Sequence, residues 1–212
     1  MSLNNILMVF LLGTSSITDA EQRIEILSLP SLNDWEEKVF NGKTQYQITT
    51  IDSRPALKAS SNDAASGLYK EIVIDLTKTP YLNWSWKIDA PLNSITETSK
   101  AGDDYATRVY VVISGGIFFW KTRAINYVWS SNQPQGSSWP NAYTNNATMV
   151  AIQSGDSLAG QWVSEKRNIL EDIQRLLQTD DTQISAVAIM SDTDNSHQSV
   201  NAYYGNIYFS SQ

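Results

Sequence analysis

Residues 82–89 alternate strictly along the chain: Leu82, Trp84, Trp86 and Ile88 fall on one side, and Asn83, Ser85, Lys87 and Asp89 on the other. A period of two marks a strand with one face in a core and one in solvent. The pattern returns over 105–114, where Val109, Val111 and Ile113 oppose Arg108 and Tyr110. It returns again over 123–129, where Ile125, Tyr127 and Trp129 share a side. Further β-type runs cover 24–29, 45–51, 56–60, 67–76, 148–153, 184–190 and 203–209, separated by turn signals such as Asn41-Gly42 and Pro80. Helical spacing occurs near 168–177, where Ile169, Ile173 and Leu176/Leu177 line up and Glu171 and Asp172 sit in the first turn, favoured there by the helix dipole. Many short strands and one short α-helix predict an all-β, antiparallel β-sandwich of jelly-roll type. No repeat, low-complexity tract or linker divides the chain, so residues 21–212 read as a single sandwich domain.

Residues 1–18 carry no charge, and 6–12 form a continuous apolar run. That run is too short to cross a bilayer as a helix. It has the size of a secretory core segment, and Thr18-Asp19-Ala20 supplies small residues for cleavage, although no Lys or Arg precedes it. Residues 1–20 are therefore read as a signal peptide, which predicts a periplasmic or secreted protein that is not transmembrane in its mature form. A buried β-strand or a disordered end is the competing reading.

Composition narrows the chemistry. Cysteine is absent, which excludes disulfides, thiol nucleophiles and thiolate metal sites. A net charge of −7 without a Lys/Arg cluster excludes the footprint of nucleic-acid binding. It also weighs against an anionic polymer, unless basic residues converge locally. His197 is the single histidine, so a serine triad would have to use it. It sits in a polar loop, no Gly-x-Ser-x-Gly motif exists, and the preferred reading is a solvated side chain, while no second His or Cys completes a zinc site.

Three groups of residues remain. The run Asp192-Thr193-Asp194-Asn195 is preferred as a turn whose side chains bond nearby amides. Its alternative is a Ca²⁺ site with Asp192, Asp194 and Asn195 as oxygen ligands, and no other cofactor is expected. Asp104 and Arg108, four residues apart, would share a strand face as a structural ion pair or a sugar-binding pair. Seven Trp and ten Tyr supply either core or stacking surface. Trp84 and Trp86 read as core, Trp120 and Trp139 lie in polar or glycine-containing connections that suit a ligand rim, and Tyr127 and Trp129 fall between.

Several segments together resemble a known family. They are Trp84-Ser85-Trp86, 100–105 with 108–111, 126–130, Ser164-Glu165-Lys166-Arg167-Asn168, 191–195, and the closing Tyr203-Tyr204-Gly205-Asn206-Ile207. In this order they resemble domain of unknown function 3047, a bacterial family, from about Trp35 onward. The resemblance implies no assigned activity. Where that family usually ends in Gly-Asp-Ile, this chain has Gly205-Asn206-Ile207, which puts any role for a carboxylate there in doubt. The closing strand is also similar to that of galactose-binding-like jelly rolls, which include carbohydrate-binding modules, an analogy of fold alone.

The reading is a non-catalytic envelope or secreted module that binds a ligand, with a glycan as its partner and Asp104, Arg108, Trp120, Tyr127, Trp129 and Trp139 as contacts. Two alternatives stay open: a glycosidase or lyase using clustered carboxylates, and an interaction domain for a protein partner. A cleft with two facing, raised-pKa carboxylates favours the enzyme. A groove lined by Trp120, Trp139 or Trp129 favours the binder, and a flat apolar patch favours assembly.

Overall fold

Two sheets face each other across the core because the alternating strands each turn their apolar side inward. The computed structural model describes residues 21–93, 95–116 and 121–212. The expected signal peptide and Trp120 lie outside them. The strands are β1 Arg23–Leu27, β2 Glu36–Asn41, β3 Gln45–Ile51, β4 Arg54–Asn62, β5 Ala65–Asp75, β6 Tyr81–Ile88 and β7 Arg108–Ile113. They continue with β8 Arg123–Ser130, β9 Ser138–Pro140, β10 Ala147–Ser154, β11 Val163–Asn168, β12 Gln183–Asp192 and β13 Ser199–Ser210. One sheet runs β11-β6-β13-β4-β3, with β1 added to β13; the other runs β2-β5-β12-β7-β8-β10-β9.

The antiparallel expectation needs one correction. β8 and β10 pair in parallel, from Ala124 beside Ala147 to Ser130 beside Ser154. A parallel pair needs a long crossover. Residues 131–146 provide it, and on the way they lay down β9 as the antiparallel edge of β10.

The interior is aromatic. Trp84 meets Trp86 edge-on at 5.3 Å between centroids, Trp84 meets Tyr127 at 5.5 Å, and Trp86 meets Trp129 at 6.1 Å. The last two contacts join β6 of one sheet to β8 of the other. Three of the polar tips find partners at the periphery: Trp86 Nε1 donates to Glu165, Trp129 Nε1 to the Gly155 carbonyl, and the Tyr127 hydroxyl to Asp172, while Trp84 Nε1 is buried without one.

The helix begins where expected. Asn168 caps it by accepting the Glu171 amide, α1 spans Ile169–Asp172, and the chain continues as a π-turn over Ile173–Leu177. Ile169 and Ile173 are buried against the core, and buried Asp172 takes hydrogen bonds from Arg167 and Arg175.

A buried tyrosine is one of several side chains that tie the sheets together by polar contacts. Tyr204 of β13 donates to the Met190 carbonyl of β12 at 2.6 Å and accepts from the Arg108 amide of β7 at 3.3 Å. Burial pushes this phenol up to about 12, so it remains a donor at neutral pH. Tyr204→Phe is expected to cost about 1–3 kcal/mol by leaving buried backbone groups short of a partner. Urea denaturation showing no change would mean that water takes over the bond.

Candidate functional site

The outward side of the larger sheet is not flat. Strand register puts Met190, Arg108 and Val128 abreast, and the next row puts Ala188, Tyr110 and Asn126 abreast. Of these, Met190, Arg108, Tyr110 and Asn126 form the floor beneath a cleft of about 420 Å³. Its walls are Phe40 and Asn41 at the end of β2, Asn141 and Tyr143 from the 131–146 crossover, Asp103 from the irregular run before β7, and Asp194 and Asn195 after β12.

Arg108 organises the floor and is only 4% exposed. Its Nε donates to Asp192 Oδ1 at 2.8 Å, and its Nη2 donates both to Asp192 Oδ2 and, at 2.5 Å, to the Asp103 carbonyl. The Tyr105 ring lies 4.4 Å from the guanidinium carbon. Burying this fork is tolerable because a carboxylate meets it with two parallel bonds.

The expected Asp104–Arg108 pair does not form. β7 begins only at Arg108, so the period-two rule does not reach back to Asp104. The Asp104 carboxylate, fully buried, instead accepts the amides of Asn195 at 3.2 Å and Ser196 at 2.6 Å and pins the loop after β12. Oxygens of Asp104, Asp192 and Asp194 lie within 4.8 Å of one another. Asp192 and Asp194 of the proposed Ca²⁺ ligands thus come together, with Asp104 joining them, while the Asn195 side chain accepts from the Tyr143 hydroxyl. The Arg108 charge bonded to Asp192 opposes a cation there.

Two polar atoms of the cleft residues are left without a partner. Asp103 Oδ1 and Asn126 Oδ1 are buried and unbonded, while Asp103 Oδ2 accepts from Asn141 at 2.9 Å. Orphaned acceptors in a cleft are the groups that a ligand's hydroxyls satisfy.

The aromatic expectations redistribute. Tyr127 and Trp129 are sealed in the core, so neither offers a ring face. Trp139, on edge strand β9, is half-buried against Tyr105, Val128 and Met149 and does not line the cleft. The exposed rings at the cleft are Phe40, 65% exposed, and Tyr143, 57% exposed. Tyr143 sits in the polar run Asn141-Ala142-Tyr143-Thr144-Asn145, the same kind of signal that singled out Trp139. His197 is exposed and bonded to Asp63.

Desolvation raises the carboxyls of Glu97, Asp103 and Glu165, and pushes Asp192 up to about 7 against the pull of Arg108. A folded-state acid with a raised pKa holds its proton more tightly than the unfolded chain does, so stability is lost as pH rises through that window. Tm is expected to be higher at about pH 5 than at about pH 8. A Tm that climbs steadily with pH over this range would contradict the assignment.

The family described as protein of unknown function (DUF3047) matches residues 33–208. The chain belongs to that family. No curated protein sequence matches this DUF3047 chain. Among solved structures it is similar to the family 30 carbohydrate-binding module of the cellulosomal cellulase Cel9D-Cel44B of Clostridium thermocellum. The identity is 9%, covering 90% of this chain and 98% of that one, with a TM-score of 0.52. It is also similar to the family 11 module of cellulase Lic26A-Cel5E of the same organism (12% identity, 90% and 95% covered, TM-score 0.48) and to a family 12 xyloglucanase from Bacillus licheniformis (10%, 89% and 98%, 0.46). The likeness to the family 30 module shows that the DUF3047 chain shares its β-sandwich fold. No described helix is long and apolar enough to cross a membrane.

Proposed function

We propose that this protein is a non-catalytic glycan-binding module whose ligand lies in the cleft over β12, β7 and β8. The observation that carries the reading is the pairing of buried, unbonded acceptors at Asp103 and Asn126 with exposed rings at Phe40 and Tyr143 around one opening. Sugars present hydroxyl donors at their edges and C–H faces to rings, and this opening supplies both complements. Likeness of fold to a carbohydrate-binding module agrees with it. The apolar run 6–12 supports action in the periplasm or outside the cell.

Calorimetric titration with soluble mixed-linkage β-glucan and xyloglucan tests the cleft. Tyr143→Ala is expected to weaken binding by about tenfold, equivalent to about 1.4 kcal/mol, and Asn126→Ala by a similar factor. Binding that survives Tyr143→Ala, Phe40→Ala and Asn126→Ala together would remove the cleft from consideration.

The raised carboxyls of Asp103 and Asp192 favour a second reading, a polysaccharide-cleaving enzyme. Glycoside hydrolysis takes two acids free to face the scissile bond, and both Asp192 oxygens are held by Arg108. Glycan turnover abolished by Asp103→Asn would put this reading first.

A further inference from the structure

On the other side of the molecule, the outward face of the smaller sheet carries a second depression, of about 590 Å³. Asn83 and Ser85 of β6 form part of its floor, opposite in phase to the core residues Leu82, Trp84 and Trp86. Two register irregularities coincide beneath it. β13 slips against β6 between Tyr204 and Ile207, and β1 slips against β13 between Glu25 and Leu27. The slip at Gly205-Asn206 brings backbone so close to β6 that a Cβ on Gly205 would stand 2.2 Å from Ser85 Oγ. Bulges of this kind bend a sheet locally, and here they dent it.

Three cations converge on the dent: Arg23, Arg54 and Lys166. Each lies over an aromatic ring. The Arg23 guanidinium carbon is 3.5 Å from the Tyr208 centroid, that of Arg54 is 4.4 Å from Trp162, and Lys166 Nζ is 4.5 Å from Tyr81. Stacking holds long side chains in place and so lowers the entropy cost of using them.

Two of the three charges have no carboxylate partner among the described residues. Arg23 pairs with Glu25 on an exposed edge. Arg54 bonds only Ser85 Oγ, at 3.5 Å, and among the described residues neither Arg54 nor Lys166 has an ion-pair partner. Glu165 also borders the dent, but its Oε1 is taken by Trp86 Nε1 and Gln153 Nε2. A chain of net charge −7 has thus concentrated positive charge in one polar hollow.

We propose that this groove binds an acidic glycan through the carboxylates of its uronic acid units. Arginine and lysine fixed around the rim meet carboxylates spaced along a chain, and the groove's Ser164 and Asn206 suit the hydroxyls between them. Nucleic acid, with its much denser charge, is opposed by the acidic remainder of the surface. The site is separate from the cleft and does not rest on it.

Calorimetric titration with polygalacturonate tests the groove. Binding is expected, weakened as salt is raised from about 50 to about 200 mM. Arg54→Gln with Lys166→Gln is expected to lower affinity by about tenfold or more while leaving binding of neutral mixed-linkage glucan unchanged. Lys166→Gln alone, at an exposed position, gives a smaller loss of the same kind in a protein with unchanged Tm. Absence of polygalacturonate binding, binding indifferent to both variants, or equally tight capture of single-stranded DNA would overturn the proposal.

Discussion

Arg108→Met is expected to lower the unfolding free energy by about 3–5 kcal/mol, the usual cost of stranding a buried partner charge. The guanidinium is the shared donor for Asp192 and for the Asp103 carbonyl, and Asp103 Oδ2 lies 3.8 Å from its Nη1. Removing it leaves carboxyls at Asp103 and Asp192, 5% and 2% exposed, without their nearest positive charge. Both would then take up protons at higher pH than before, and the loss should shrink in acid. Denaturation midpoints at neutral and acid pH measure this directly. The double variant Arg108→Met with Asp192→Leu is expected to regain much of the stability, because a well-packed apolar pair needs no desolvation of charge. A double variant as unstable as the single one would show that packing around Arg108, and not its charge, holds the floor of the cleft.

Trp86→Ala is expected to cost a further independent amount of about 3–5 kcal/mol, in the range of large-to-small changes at packed aromatic sites. Trp86 is fully buried, stands edge-on to Trp84 and leans on Trp129 across the sandwich. Its indole also donates to Glu165, which keeps one other donor, Gln153, after the change. Trp86→Phe should keep most of the packing and lose the hydrogen bond, costing about 1–3 kcal/mol. Guanidinium unfolding curves on both variants separate the two terms. Equal losses would make the hydrogen bond, and not the ring, the larger contribution.

The sandwich was legible because its central strands are half-buried. Residues 82–88 and 109–113 face the core on alternate positions, and the phase read from their side chains is the phase observed. Three strands escaped for physical reasons. β2 is exposed at every position, so no alternation is imposed on it. β9 has three residues, too few to show a period. β11 is polar at an edge, where hydrogen bonding to β6 and not burial fixes its conformation.

The site was legible only in fragments. Arg108 and Asp192 were singled out, but sequence distance hid that β12 and β7 are neighbours, which is what brings these two together across 84 positions. Asp103, adjacent to Asp104 and chemically identical, turned out to be the one with a free oxygen. Nothing local distinguishes the two, since the outcome depends on where the loop after β12 presents its amides. The convergence of Arg23, Arg54 and Lys166 was equally hidden, because 143 positions separate the first from the last and the hollow between them arises from strand slippage.

The crossover forced by the parallel pairing of β8 and β10 also supplies Asn141 and Tyr143 to the cleft. Lengthening such a connection costs little free energy, whereas lengthening a tight hairpin would shift every pairing beyond it. The part of this bank of the cleft beyond β9, residues 142–146, is therefore free to grow, shorten or exchange residues while the strands beneath it keep their partners. A single scaffold of this kind lends itself to divergence in selectivity by editing 142–146 alone.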